Sequence, residues 1–300
     1  MFQKIFRLLR SFTRLPREVE EGKILSARLL AQMHFSEQAA ILGNLQRAEF
    51  KVFSQWGDDG IIQFLIQYLD VKPHTFVEFG VENYREANTR FLLLNNNWRG
   101  LVLDGAEKNV AQIRQDRIYW QHDLTAQAAF VTAENINELL KTNGFEGEIG
   151  LLHIDIDGND YWVWKEISVV SPVLVIMEYN SVFGPDEAWT VPYDPQFFRT
   201  NYHPSNLCYG ASLSALCDLA EEKGYAFVGC NSHGNNAYFV RKDRLRALRP
   251  ITARAGYVES KFRESRDAQG RLSYLSGEKR LESIRGAEVF DTREKRLKTI

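Results

Sequence analysis

Residues 153–160, HIDIDGND, follow directly on the apolar run 149–152 and decide how the rest of the chain is read. A short apolar run with β-branched members that ends in Asp and Gly is a buried strand whose polar end emerges at a sheet edge. In open α/β sheets, the crevice outside the carboxyl ends of the strands is where ligands bind. Three acids, a glycine and an asparagine stand together in this stretch, so the strand end is the first candidate for a site.

Working outward, the neighbouring segments repeat the pattern. Residues 75–79 predict a first strand with Glu78 at its end and Gly80 just after it. Residues 101–103 predict a second strand ending in Asp104, and residues 119–121 a short third strand ending at His122 and Asp123. The fourth is 149–154, and the fifth, 173–177, ends in Glu178, Tyr179 and Asn180. Helical spacing fills the intervals at 88–95, 108–115, 133–142 and 162–167. Strands alternating with helices imply an α/β fold with a doubly wound, mostly parallel, Rossmann-like sheet covered on both faces. After a helix over 211–223, residues 225–229 and 237–241 flank the polar turn NSHGNN and predict an antiparallel hairpin that closes the sheet.

The flanks differ from this body. Residues 1–50 read as a helical extension, 51–245 as the sheet domain and 246–300 as a basic C-terminal arm expected to pack on a neighbouring subunit of a homo-oligomer. Within the extension, residues 1–15 place Phe2, Ile5, Phe6, Leu8, Leu9 and Phe12 against Lys4, Arg7, Arg10 and Arg14, an amphipathic helix that Pro16 should end. Such a helix suits an anionic membrane interface, and equally suits packing on its own body or on a second subunit. Residues 54–70 predict a helix with a polar, Gly-broken entrance, where Asp58 or Asp59 would complement the helix dipole. Residues 182–206 carry Pro185, Pro192, Pro195 and Pro204 among many aromatics, a connection long enough to cap a pocket.

Composition narrows the function classes. With 44% hydrophobic and 25% charged residues the chain is globular, and no apolar run of membrane-spanning length or signal peptide occurs. A cytoplasmic protein is expected, associating peripherally with the inner face of the membrane through residues 1–17. Cys208, Cys217 and Cys230 lack metal-site spacing and read as reduced core thiols. Residues 1–17 hold five basic residues and no acids, and 241–300 hold seventeen basic against nine acidic, so an overall charge of −2 leaves the middle strongly acidic. Nucleic acid is therefore not an expected partner of the site.

An acid at the end of the first strand, a following glycine and an acid at the end of the second form a nucleotide pocket of Rossmann type. The stretch after Gly80, VENYREANT, lacks the further glycines that would cradle a pyrophosphate, so a nucleoside without phosphates fits better. The candidate donor-site set is Gln55, Glu78, Gly80, Asn83, Thr89, Asp104, His122 and Asp123. The segments FVEFG (76–80), LVLDG (101–105), HIDIDGNDYWVW (153–164) and VIMEYN (175–180) resemble class I S-adenosylmethionine-dependent methyltransferases. In particular they resemble the FkbM-type O-methyltransferases found with polysaccharide and secondary-metabolite genes. The resemblance covers roughly residues 54–240 and implies S-adenosyl-L-methionine as cofactor. It places Glu78 and Gly80 by the methionine part, Asp104 on the ribose, and His122 with Asp123 beside the adenine. Val81, Glu82 and Asn83 depart from the small residues of the family's first motif.

The remaining strand ends suggest a metal. Asp155 and Asp157, with Glu178 and Asn180, offer hard oxygens suited to Mg²⁺ or another divalent cation. This is similar to metal-dependent O-methyltransferases of the catechol type, with Tyr179 inserted between the acid and the asparagine. Capping of a helix near residue 161 would account for Asp157 and Asp160 but not for Glu178. Candidates for the general base are Asp155 and His233, with His153 reading as a core histidine. Arg199 would hold an acidic group on the acceptor. The combined reading is methyl transfer to a hydroxyl of a sugar or glycan intermediate. A metal-dependent hydrolase using the acidic cluster and a non-catalytic Rossmann-like binding protein stay open beside it.

Overall fold

The computed structural model describes residues 2–300, with side chains from residue 15 onward. Among the described residues ten strands form: β1 (Thr75–Phe79), β2 (Arg99–Asp104), β3 (Leu124–Ala128), β4 (Gly147–Ile154), β5 (Val170–Glu178), β6 (Trp189–Thr190), β7 (Tyr225–Cys230), β8 (Asn236–Arg241), β9 (Glu288–Asp291) and β10 (Arg296–Thr299). The main helices are α1 (Phe2–Ser36), α2 (Gln38–Gly43), α3 (Asp58–Tyr68), α4 (Arg90–Asn96), α5 (Glu107–Gln115), α6 (Ile118–Gln121), α7 (Ile136–Thr142), α8 (Asp160–Glu166), α9 (Arg199–Tyr202) and α10 (Leu213–Glu222).

Seven strands make one sheet in the order β3-β2-β1-β4-β5-β8-β7. The pairs from β3 to β5 are parallel, and β8 joins β5 antiparallel with β7 outside it. The doubly wound sheet and its closing hairpin are thus as the sequence predicts. The chain runs outward from β1 to β3 and then crosses back to β4, so the strand order reverses between β1 and β4. That reversal leaves a crevice above their carboxyl ends.

Side chains alternate between the two faces of a strand, and the buried ones fall into two clusters accordingly. Phe76, Val102, Leu151, Leu174, Ile176, Tyr238 and Val240 belong to one apolar layer with α3. Val77, Phe79, Leu101, Leu103, Leu152, Ile154, Val175, Met177 and Phe239 belong to the layer on the other face. By the same alternation Glu78, Asp104, His153, Glu178 and Asn236 all stand on the α3 side, at the end of their strands. Period two, applied to five strands, is what assembles the site.

Three expectations need correction. Residues 119–121 lie in α6 rather than in a strand, and the third strand is β3, which begins after them. His122 and Asp123 therefore stand at the amino end of β3, across the sheet from the crevice. The aromatic pair Tyr119 and Trp120 resembles strand composition, whereas β3 itself reads LTAQA and is an edge strand with a mixed burial pattern. Pro16 does not end a helix but lies inside α1. A proline removes one helical hydrogen bond, and here the part beyond it is held by tertiary packing through buried Ala27 and Ala31. The basic face expected over residues 1–15 lies outside the described side chains, apart from Leu15.

Finally, residues 246–300 fold back on their own chain. The hairpin β9–β10 pairs with β6 in a three-stranded antiparallel sheet that the sequence reading lacks. The Tyr179 hydroxyl donates to the Val258 carbonyl (2.6 Å) and the Tyr257 hydroxyl to the Ser181 carbonyl (2.7 Å), which ties the segment to the end of β5. Cys208, Cys217 and Cys230 are unpaired thiols.

Candidate functional site

A cavity of ≈ 1010 Å³ opens at the carboxyl ends of β1, β2, β4 and β5 and the amino end of the antiparallel β8. One end is built on Glu78, Gly80 and Asp104. The Glu78 carboxylate accepts the backbone N–H groups of Asn88 (2.9 Å) and Thr89 (3.0 Å), the Thr89 hydroxyl, and His153 Nδ1 (2.9 Å). Register explains the last contact, since Glu78 and His153 are direct partners on parallel β1 and β4. Burial pushes the Glu78 carboxyl up, but the hydrogen bond and charge of His153 with the other donors outweigh it and hold its pKa below 4.5. For His153, burial pulls the ring down, and the hydrogen bond and charge of Glu78 outweigh that, leaving it raised. The two form a buried ion pair. His153 is the packed histidine that its place in the apolar run implies, although its edge also reaches the cavity.

Gly80 has φ of +74°, and a Cβ there would stand 1.7 Å from the carbonyl oxygen of Asp155. Only glycine lets the end of β1 pass under the end of β4 in this left-handed conformation. Asp104 accepts the backbone N–H of Glu82 (2.7 Å) on one oxygen, and the backbone N–H of Ala106 and the Asn109 side chain (both 2.9 Å) on the other. It fixes the two loops that flank the first strand end, and its carboxylate keeps acceptor capacity toward the cavity. Glu82, Tyr84 and Asp157 take left-handed φ values of 47°, 60° and 57° around this rim, strain that packing must hold in place.

The other end is different. Asp155, Asp157 and Glu178 bring carboxylate oxygens within 4.8 Å of one another. Burial and then the charge of Asp157 push Asp155 up to about 7, and burial followed by the charges of Asp155 and Asp157 raises Glu178 well above the ordinary range. Arg199, on α9, is the cation paired with Asp157, and His153 acts on Asp155 from the side. Its Nη1 donates to Asp157 Oδ1 (2.7 Å), its Nε to the Asn206 carbonyl (2.7 Å), and its guanidinium lies 3.8 Å from the Tyr209 ring centroid. Arg199 Nη2 is buried without a hydrogen-bond partner among the described residues.

The remaining candidates divide clearly. Gln55 lines the cavity. Thr89 is buried behind Glu78 and supports it. The Asn83 side chain closes a turn by accepting from the Arg85 N–H (3.1 Å) and does not line the cavity. His122 lies near Asn97 (3.4 Å) and Asp123 near Arg99 (3.9 Å), both remote from it. Asn180 is buried, with Nδ2 donating to the Leu207 (2.8 Å) and Tyr209 (3.0 Å) carbonyls and Oδ1 accepting from Val182 N–H (3.0 Å), so its amide is committed to the loop and not to the acids. His233 stacks on Trp56 with ring centroids 3.9 Å apart and stands outside the lining, its pKa lowered by burial and by Lys261. Asp59 accepts three successive backbone N–H groups, from Val52, Phe53 and Ser54, and so shapes the entrance loop.

Several lining residues escape a reading by sequence. Ala129, Phe130 and Val131 follow the real β3, and Phe262 and Glu264 come from the C-terminal segment, whereas Phe197 and Phe198 come from the long aromatic connection. The long connection was legible as a pocket cap by its length and aromatics. Phe197 even rests on Gly158, where a Cβ would stand 2.2 Å from its ring. Nothing local marks Phe262 or Glu264, because a chain return of this kind leaves no periodic signal.

No family model matches the chain, and no curated protein matches it. Among solved structures, the N-terminal domain of EvdMO1 with SAH bound overlays with a TM-score of 0.40 at 12% identity, over 63% of this chain and 80% of that one. The O-methyltransferase from Bacillus cereus in complex with SAH gives 0.39 at 16%, over 70% and 88%. A S-adenosylmethionine-dependent methyltransferase from Clostridium acetobutylicum ATCC 824 gives 0.41 at 11%, over 69% and 98%. These overlays are loose, and what the site can do follows from its own residues.

Proposed function

We propose that this chain is an S-adenosylmethionine-dependent O-methyltransferase acting on a hydroxyl of a sugar or glycan intermediate. One observation supports it above the others. A single cavity at the point of strand reversal carries Gly80 and Asp104 at one end and the proton-holding acids Asp155 and Glu178 at the other, on the same face of the sheet. Its lining acids outnumber Arg199 and His153, so it favours a cationic ligand such as a sulfonium and opposes a pyrophosphate.

S-adenosylmethionine, when bound, supplies a sulfonium methyl for in-line displacement by an oxygen nucleophile. The protein's part is alignment and deprotonation. Asp104 has free acceptor capacity for ribose hydroxyls, and Gly80 offers backbone without a side chain in the way. Asp155, raised to about 7, takes the proton of the acceptor hydroxyl, and the raised Glu178 carboxyl beside it tunes that exchange. The faces of Phe130, Phe197, Phe198 and Phe262 supply apolar walls for a sugar ring. A divalent cation would be held by Asp155, Asp157 and Glu178, where it would lower the acceptor's pKa. Three mutually repelling carboxylates fit such a charge, and Arg199 would have to release Asp157 to admit it.

Calorimetric titration with S-adenosylhomocysteine, with and without Mg²⁺, tests the reading. The wild type should bind, and Asp104→Ala should weaken binding about 10- to 100-fold through loss of a charged hydrogen-bond acceptor. Failure of the wild type to bind under either condition would overturn the methyltransferase reading.

A further inference from the structure

α1 carries an apolar surface that the fold leaves uncovered. Leu15, Val19, Leu29, Leu30 and Met33 are 55%, 51%, 64%, 42% and 58% exposed. At 3.6 residues per turn they share an arc of about 100° with Gly22 and Ser26. The opposite side of the helix is occupied. Ala27 and Ala31 are buried with Phe50, Phe53 and Phe91, Arg28 Nε donates to Asn95 (2.6 Å), and Glu20 pairs with Arg90 (3.4 Å) and Arg117 (3.8 Å). The exposed arc cannot roll onto the body without giving up these contacts.

What covers it is indicated by charge. In the sequence, Leu8 and Phe12 precede Leu15 and Val19 at the same helical spacing, and residues 1–17 hold Lys4, Arg7, Arg10, Arg14 and Arg17 with no acid. Two like-charged copies of that segment repel, whereas an anionic lipid surface neutralises it and receives the apolar arc. No helix among the described residues is long and apolar enough to cross a membrane, so the contact is one of lying on the surface. We infer that α1 docks the protein on an anionic lipid surface, with Leu15, Val19, Leu29, Leu30 and Met33 entering the interface and the basic charge of residues 4–17 drawing the helix to the anionic headgroups.

The test uses the full chain and vesicles of phosphatidylcholine with and without one third phosphatidylglycerol, read by co-sedimentation, with sedimentation velocity on the same samples without lipid. The expected result is at least tenfold stronger binding to the anionic vesicles. It should fall about tenfold in 0.5 M salt and about tenfold in the double variant Leu29→Glu/Met33→Glu, whose side chains are exposed and whose melting temperature should match the wild type. Arg10→Glu/Arg14→Glu should lose the preference for anionic lipid. Equal binding to both vesicle types, or none to either, overturns the inference. So does a concentration-dependent dimer that Leu29→Glu/Met33→Glu dissociates, because the arc would then be covered by a second copy.

Discussion

Glu78 and Glu178 are both buried glutamates at the carboxyl ends of parallel strands, separated in the sheet only by β4, yet their chemistry is opposite. Glu78 is saturated by two backbone N–H groups, a hydroxyl and the His153 ring, and its carboxyl is held ionised. Glu178 faces Asp155 and Asp157 instead, and burial with their charges pushes its carboxyl toward the protonated form. Strand-end position makes a carboxylate available; its partners decide whether it holds the fold together or exchanges protons. The Glu78 end of the cavity is built from satisfied acids and the Glu178 end from unsatisfied ones, a division of labour that the proposed methyl transfer would use for alignment and deprotonation.

The sharpest way to break this comparison is Glu78→Ala. It leaves His153 buried without its counter-charge and the amides of Asn88 and Thr89 without an acceptor, and should cost about 3–5 kcal/mol in urea unfolding. A loss below about 1 kcal/mol would show that Glu78 is not the structural acid. The second effect belongs to the other glutamate. Glu178→Gln should lower methyl transfer, assayed across a panel of sugar acceptors, on the order of 100-fold while the protein stays at least as stable as wild type. Unchanged turnover would remove Glu178 from proton transfer.

Next in size is a dependence on pH whose sign differs between the two acids. Asp155 is raised to about 7 in the folded state and Glu178 is raised as well, so the folded protein binds more protons than the unfolded chain above the ordinary carboxylate range. Their contribution is fully present below that range and is lost as pH rises through their raised folded-state values. Glu78 has a lowered value, so its contribution is present above pH 4.5 and is lost as pH falls below it. The stability gained by Glu178→Gln should therefore be clearly larger at pH 8 than at pH 4, where it should be near zero. An equal gain at both would mean that the acids do not share the burden of charge. The smallest effect is expected of Asp157→Asn, since the Asp157 side chain is 57% exposed and its pair with Arg199 is at the rim. Stability should change by less than about 1 kcal/mol. The same change should ease deprotonation of Asp155, moving the acidic limb of the pH–rate profile downward.

Much of this was legible from residues alone, and the errors have physical causes. β1, β2, β4 and β5 are continuous apolar runs ended by an acid, because central parallel strands are buried on both faces and must emerge at a polar edge. β3 was misplaced because an edge strand lacks that constraint, so LTAQA carries no strong pattern while the aromatics beside it do. With β3 displaced, His122 and Asp123 were assigned to the wrong end of the sheet. Asn180 had the right residue type at the right place, but its amide was already taken by two carbonyls and an N–H group that no local pattern announces.

The sequence by itself determined the central strands β1, β2, β4 and β5, the closing hairpin and the edge of the sheet where the polar strand ends gather. Only the tertiary structure decided which acids are neutralised. The partner of Glu78 lies 75 positions away at His153, the cation beside Asp157 lies 42 positions away at Arg199, and the walls at Phe262 and Glu264 return from the far end of the chain. A carboxylate's protonation is set by the few groups within hydrogen-bonding reach and by its burial, and both are properties of folded space rather than of neighbouring letters.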